Sequence, residues 1–367
     1  SDDLTTNDVE KRKRVEGMET MPHTTIISIA PSPLDENIIW VGTDDGRVHV
    51  TRDGGISWES IEARAKARGL NKGAWVPMID PSPHDVGTAF IVMEDHRRSN
   101  MNPYLFRVEK FGKKWRNIIN DDDVKGYALS VKQDHIDPDL IFLGTEFGLF
   151  YTLDGGKAWS KWTQGVPTVS VMDLAIQKRE DDLVLGTHGR SFFVIDDYSG
   201  LRNLNEDDFE GGLKFLSASK GVQYTVRRSP STRFTGNGEY QGENQPYGSA
   251  ITFLAKLDDK PQKATIEISN GMGEIVRTFK TGIHEGINRV NWSLRYDGNA
   301  EPRKPGAPKT EDLPEGRYAI PGTYKASIKY DGEVVSGEIT VIPDPKLTLS
   351  QNDWATTANF LDHMFAL

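Results

Sequence analysis

Val50-Thr51-Arg52-Asp53-Gly54-Gly55-Ile56-Ser57-Trp58 and Tyr151-Thr152-Leu153-Asp154-Gly155-Gly156-Lys157-Ala158-Trp159 obey one rule, Thr-x-Asp-x-Gly-x-x-Trp. Each follows an apolar run ending in Gly-Thr, Ile38 to Thr43 in one case and Leu140 to Thr145 in the other. The spacing calls for an acid that accepts turn amides, a glycine free to adopt positive φ, and an indole that folds back over the hairpin. It builds a fold before it does chemistry. Asp53, Gly55, Trp58, Asp154, Gly156 and Trp159 are therefore assigned structural roles, the carboxylate lone pairs being used up by turn amides.

Aligning the surrounding sequence gives four units with a period of about 45 to 50 residues, in the range of propeller repeats. They run over Thr24–Ile61, Ala74–Ile118, Tyr127–Trp162 and Val169–Asp197. Each has an alternating strand, a Pro- or Asp-rich turn, an apolar strand, a tight turn and another strand, with a fourth strand expected after the Trp. Glycines of Gly42-Thr43-x-x-Gly46, Gly144-Thr145-x-x-Gly148 and Gly186-Thr187-x-Gly189 are expected to supply positive φ to tight hairpins. The second unit departs from the rule. It keeps only Gly112-x-x-Trp115 and carries a longer polar stretch, Glu94 to Tyr104. Such a departure is where a loop can serve a site.

The fold class read from this pattern is all-β: propeller blades, four visible, belonging to a larger propeller, then an immunoglobulin- or fibronectin-like β-sandwich and a short C-terminal helix. Residues 1–23 read as a polar junction, 24–200 as the blades, 201–221 as a connector, 222–345 as the sandwich and 346–367 as a helical segment. The sandwich reading rests on alternating runs such as Ile251–Leu257, Lys263–Asn270 and Thr323–Tyr330, with Asp331-Gly332 as a turn. Ser350 caps the last segment, and Trp354, Phe360, Leu361 and Phe365 share a stripe. An open arc of four blades exposes apolar faces at both ends, so further blades are expected from a preceding segment or a partner chain.

Composition narrows the function classes. With 44 Lys and Arg against 54 Asp and Glu the formal charge is −10, a field that opposes nucleic acid and anionic lipid. Zero cysteines exclude disulfides, thiolate metal sites and cysteine nucleophiles. No run of 18 apolar residues exists, and the first residues lack both a Met and the apolar core of a signal peptide. The chain reads as a piece of something longer.

The Thr-Asp-Gly-Trp octet resembles the Asp-box, or BNR repeat, of the sialidase, sortilin and xyloglucanase types of propeller. The likeness extends over Asp182–Asp197, Gly144–Trp159, Gly242-x-Asn244-x-Pro246-x-Gly248, Asn291-Trp292-x-Leu294-Arg295 and Pro321-Gly322-Thr323-Tyr324. Together these are similar to large bacterial sortilin-type (VPS10-like) BNR-repeat proteins, often labelled glycosyl hydrolases. The resemblance implies a secreted, periplasmic or outer-membrane-associated protein, with the octets lying away from any active site.

Basic groups concentrate at His96, Arg97 and Arg98 and at His188 and Arg190. A guanidinium held in a rigid turn can grip a carboxylate bidentately, which makes these the candidate ligand-binding residues. The alternative is that Arg190 pairs with Asp196 or Asp197 and the Arg97 loop is solvated. Glycoside hydrolysis needs two carboxylates about 5 to 9.5 Å apart. Glu94, Asp95, Glu146 and Asp173 are the candidates, with Asp44 and Asp45 behind them. The arginine triad and Tyr-Glu nucleophile pair of a sialidase is not recognisable. Asp121-Asp122-Asp123 lacks the spacing of a calcium loop, and His84, His135, His284 and His363 lack the pairing of a zinc site. No cofactor or metal is expected. The leading expectation is an interaction module for a peptide, glycan or envelope partner; the rivals are a glycoside hydrolase and a scaffold subunit of an outer-membrane assembly.

Overall fold

A computed structural model describes residues 25–67, 69–119, 122–224, 238, 244–257, 262–299 and 312–366. The expected junction over 1–23, Asp121, Gly242 and most of the Pro-rich stretch after residue 300 lie outside them. Two compact units divide the chain, Ser1–Tyr198 and Ser199–Leu367.

The first unit holds four consecutive antiparallel meanders. They are β1 (Ile26–Pro31), β2 (Ile39–Thr43), β3 (Val48–Thr51) and β4 (Glu59–Ser60); β5 (Trp75–Pro81), β6 (Ala89–Asp95), β7 (Asn100–Glu109) and β8 (Lys114–Asn117); β9 (Ala128–Gln133), β10 (Ile141–Thr145), β11 (Gly148–Thr152) and β12 (Ser160–Lys161); β13 (Val171–Gln177), β14 (Asp182–Thr187) and β15 (Phe192–Ile195). In every sheet the strands lie in sequence order. These are propeller blades. The strand after each Trp-bearing turn is present in blades one and three, blade two carries Trp115 within β8, and blade four has three strands.

The hydrophobic core lies between neighbouring blades. Trp40, Val48 and Val50 of blade one pack with Val76, Ile79, Ile91 and Phe106 of blade two. Phe90, Val92 and Leu105 on the other face of blade two pack with Val131, Ile141, Leu143 and Phe150 of blade three. Alternation sends successive side chains of one strand to opposite faces, so blade two feeds two cores, and each fully buried side chain of this size contributes about 1.5 to 3 kcal/mol. Blade four has no successor among the described residues: Phe192 is 68% exposed and Val194 46%.

The first glycine of each Gly-Thr step departs from the sequence expectation. Positive φ belongs to the second glycine, Gly46 (80°), Gly148 (123°) and Gly189 (82°). Gly42 and Gly144 are needed for close approach: a Cβ on Gly42 would fall 2.5 Å from Val76, and one on Gly144 2.5 Å from the Val171 carbonyl oxygen. Any side chain there would push the next blade away.

In the second unit the strands are β16 (Lys214–Ala218), β17 (Gly221–Gln223), β18 (Ser249–Ala255), β19 (Gln262–Ser269), β20 (Ile275–Ile283), β21 (Gly286–Trp292), β22 (Arg295–Asp297), β23 (Glu315–Tyr318), β24 (Gly322–Tyr330) and β25 (Glu333–Pro343). A three-stranded sheet, β16-β18-β21, and a five-stranded sheet, β17-β25-β24-β19-β20, share one core that includes Phe253, Ile266, Trp292, Ile328 and Ile339. β22 and β23 form a ribbon. β16 falls in the segment expected as a connector but pairs with β18, so it is an edge strand of the sandwich.

Helix α1 (Gln351–Ala366) closes the described chain. Ser350 caps it reciprocally: its hydroxyl accepts from the Asp353 amide at 3.2 Å, and Asp353 accepts from the Ser350 amide at 2.9 Å. Ala358 is buried, whereas Phe360, expected on the apolar stripe, is 63% exposed. The stripe runs through Trp354, Ala358 and Leu361, at i, i+4 and i+7. The Phe365 side chain lies outside the described residues.

Candidate functional site

Antiparallel meanders sort their connections onto two rims. One rim takes the start of the first strand and the turn between the second and third. The other takes the turn between the first and second strands and the one between the third and fourth. Asp53, Gly55, Trp58, Asp154, Gly156 and Trp159 fall on the latter; Glu94–Arg98, Tyr127, Glu146, His188 and Arg190 fall on the former.

On the turn-closing rim the acids are fully engaged. Asp53 accepts from the Ser57 amide at 2.9 Å and from the hydroxyls of Ser57 and Thr51 at 2.5 and 2.7 Å. Those bonds, Ser57's first, hold its carboxyl down at about 2. Asp154 accepts from the amides of Lys157 and Ala158 at 2.8 and 3.1 Å. The Trp58 indole donates to the Gly55 carbonyl at 3.2 Å, and Trp115 repeats this with Gly112 at 3.1 Å. Blade two makes the same turn without the acid by placing Lys110 and Phe111 at positive φ.

On the opposite rim, β6 runs on to Asp95, a single 3-10 turn follows (His96–Arg98), and Ser99 at φ 63° brings the chain back into β7. Glu94 and Asp95 are each 4% exposed. Glu94 accepts a short hydrogen bond from the His96 ring, one from the His96 amide at 3.2 Å, and lies 3.8 Å from the Arg97 guanidinium. Asp95 binds Arg98 and accepts from Asn71 at 2.7 Å. Arg97 in turn lies over Trp75, its guanidinium carbon 3.1 Å from the ring centroid. His96 stacks on Tyr127 at 4.4 Å. Burial first, then the charges of Glu146 and Glu94, push the Tyr127 phenol up.

The sequence candidates thus divide. His96, Arg97, Glu94 and, through Tyr127, Glu146 are brought together; Arg98 and Asp95 form a pair beside them. Glu146 is half-buried next to the exposed Phe147. Asp173 is exposed on β13, its carboxylate accepting from the Leu174 amide at 2.8 Å. His188 and Arg190 are exposed on the β14–β15 turn. Asp44 accepts from the Thr25 amide at 2.8 Å, and Asp45 lies 3.5 Å from Arg47. Among the described residues no group of three or more His, Asp or Glu side chains is placed to hold a metal ion.

Trp75 and Tyr127, which complete the cluster, escaped the sequence reading. Their signal was positional: each stands at the start of a first strand, on the rim where the Glu94 turn arrives. A second group was also missed. The far ends of all four first strands line a cavity of about 270 Å³, bordered by Ile29, Met78, Asp80, Lys132, His135 and Lys178 among others. Asp80 is buried, pairs with Lys132 at 2.6 Å and accepts from the Gln133 amide at 2.9 Å. Burial pushes its carboxyl up, and Lys132 pulls the other way. In the aligned repeats Asp80 replaces Ala30, and that exchange of methyl for carboxylate was the available clue.

No family model and no curated protein matches the chain. Among solved structures it is similar to YCF48 from Cyanidioschyzon merolae, at 18% identity and a TM-score of 0.35, covering 49% of this chain and 55% of that one. An ancestral GH74 enzyme is similar at 12% identity and a TM-score of 0.39, covering 76% and 34%. YCF48 bound to D1 peptide is similar at 16% identity and a TM-score of 0.33, covering 56% and 60%. The chain spans less than two thirds of the length of each.

Proposed function

We propose that this chain is the C-terminal portion of a secreted or envelope BNR-repeat propeller of the sortilin type, and that it acts as an interaction module. Its ligand, a peptide, glycan or envelope protein, docks on the rim built by Trp75, Arg97, His96 and Tyr127. The observation that carries this reading is the state of the acids. Glu94 and Asp95 are buried and bound by His96, Arg97, Arg98 and Asn71, so they organise cations and do not stand ready to transfer protons. What faces outward is a guanidinium fixed on an indole, an anchor whose rotamer entropy is already spent. Additional blades, from a preceding segment or a partner chain, cover the face bearing Phe192 and Val194.

A glycoside hydrolase is the second reading, favoured by the two carboxylates, Glu94 and Glu146, that both act on Tyr127. Arrays of peptides and glycans probed with the wild-type chain and with Arg97→Ala and Trp75→Ala separate the two. The interaction reading expects each substitution to weaken capture by about tenfold or more, as for a central anchor. Undiminished capture by both variants, or reducing sugar released by wild type and abolished by Glu146→Gln, would count against it.

A further inference from the structure

Two segments singled out in the sequence, Asn244–Gly248 and Asn291–Arg295, converge on the sandwich unit around a row of tyrosines. Tyr247 stands between Tyr224 and Tyr318, with ring centroids at 5.1 and 6.0 Å and planes turned by 71° and 75°. The two outer rings are each 46% exposed. Tyr224 directly follows β17 and Tyr318 ends β23, so both rings sit on sheet edges. Arg295 lies over Tyr318 at 4.0 Å, tied to the Gly316 carbonyl at 3.0 Å with Glu315 at 3.6 Å. Asn291 donates to the Tyr247 carbonyl at 2.8 Å and fixes the middle ring's backbone. Burial, then the phenols of Tyr318 and Tyr224, push Tyr247 up to about 12. The Tyr247 hydroxyl is therefore neutral at ordinary pH.

We propose that the Tyr224–Tyr247–Tyr318 row is a carbohydrate-binding site of the sandwich, taking the pyranose rings of a polysaccharide. A pyranose presents an apolar C–H face ringed by hydroxyls. The row answers both: rings in two orientations to stack on, phenols that donate and accept, a guanidinium that donates and a carboxylate that accepts. A partner protein with a dry apolar surface would leave the phenols and the Arg295–Glu315 pair unsatisfied, and a simple ion would not use three rings. Tyrosine also suits this task because its two χ angles cost little to immobilise. The site lies in the second unit and is independent of the rim reading above.

Affinity electrophoresis of the full chain through gels containing hydroxyethylcellulose, laminarin or alginate tests the proposal. At least one polymer retards the wild type. Tyr224→Ala and Tyr318→Ala each weaken that retardation by about tenfold, whereas Tyr224→Phe, which keeps the ring, stays within about threefold. Thermal unfolding of each variant establishes that it is folded. Met272→Ala, at an 80% exposed position outside both the row and the rim, leaves the retardation unchanged. The proposal is overturned if no polymer retards the wild type, if both alanine variants migrate like it, or if a decaproline peptide saturates the row while the polymers do not.

Discussion

The Trp159 indole N–H donates to the Ile118 carbonyl oxygen at 2.9 Å, across the boundary between blades three and two. Trp58, in the same position of its own octet, donates inside its own turn. One motif therefore does two jobs, closing a hairpin in blade one and stapling neighbouring blades in blade three.

The substitutions should differ accordingly. Trp159 is 8% exposed, so Trp159→Phe should cost about 1 to 2 kcal/mol through the orphaned carbonyl, and Trp159→Ala about 3 to 5 kcal/mol. Trp58→Phe, at a half-buried site, should shift the urea midpoint by less than Trp159→Phe does. Equal shifts would mean that the inter-blade bond adds nothing.

Acid should loosen the first octet. Asp53 sits at about 2 in the fold against an ordinary 3.8, held there first by Ser57. A depressed carboxyl gives stability that is present above the unfolded value and fades as pH falls through the folded one. The wild type should therefore lose stability between about pH 4 and pH 2, and Asp53→Asn should show a shallower loss across that window. Parallel pH profiles of the denaturation midpoint would contradict this.

Lys132 should matter more than Asp80. Removing the lysine strands a buried carboxylate, at a cost of about 3 to 5 kcal/mol near neutral pH. Removing the acid leaves an ammonium whose side chain is 32% exposed and can reach water. Because burial raises Asp80, Lys132→Met should recover stability as pH falls and Asp80 takes up a proton, whereas Asp80→Ala should show little such recovery. The double variant should be more stable than Lys132→Met alone, since it restores the alanine of blade one. Denaturation at pH 5 and pH 8 measures all three.

Helix α1 is held by a bidentate pair of Arg317 and Asp362, one bond at 2.9 Å, with Arg317 also lying over Tyr296 at 3.9 Å. Asp362 is 52% exposed, so Asp362→Asn should cost no more than about 1 kcal/mol. Arg317→Ala also forfeits the ring contact and should lower helical circular dichroism further. If Asp362→Asn melts the helix as completely as Arg317→Ala, the tyrosine contact contributes nothing.

Blade spacing was legible in the sequence because its determinants are local. Pro31-Ser32-Pro33, Asp53-Gly54-Gly55 and Thr145-x-x-Gly148 each fix a turn with their own atoms. The Glu94 turn was also visible, as a stretch that breaks the repeat. What stayed hidden depends on neighbours in space. Gly42 and Gly144 answer to Val76 and Val171 of the following blade, Arg97 to Trp75 across a strand, Asp80 to Lys132 of the next sheet. Phe360 fell off the apolar stripe because helical phase, read without knowing which face docks on β23, is ambiguous by one position.

The exposed surface of blade four has a directional consequence. The face presented by Phe192 and Val194 is unlike the face of β1 that presents Ile29, 68% exposed, so two copies meeting through them would join head to tail. Such joints are self-propagating: whether the array closes or runs on depends only on how many angular steps make a full turn. A cap on that surface would thereby also decide between a closed ring and a filament.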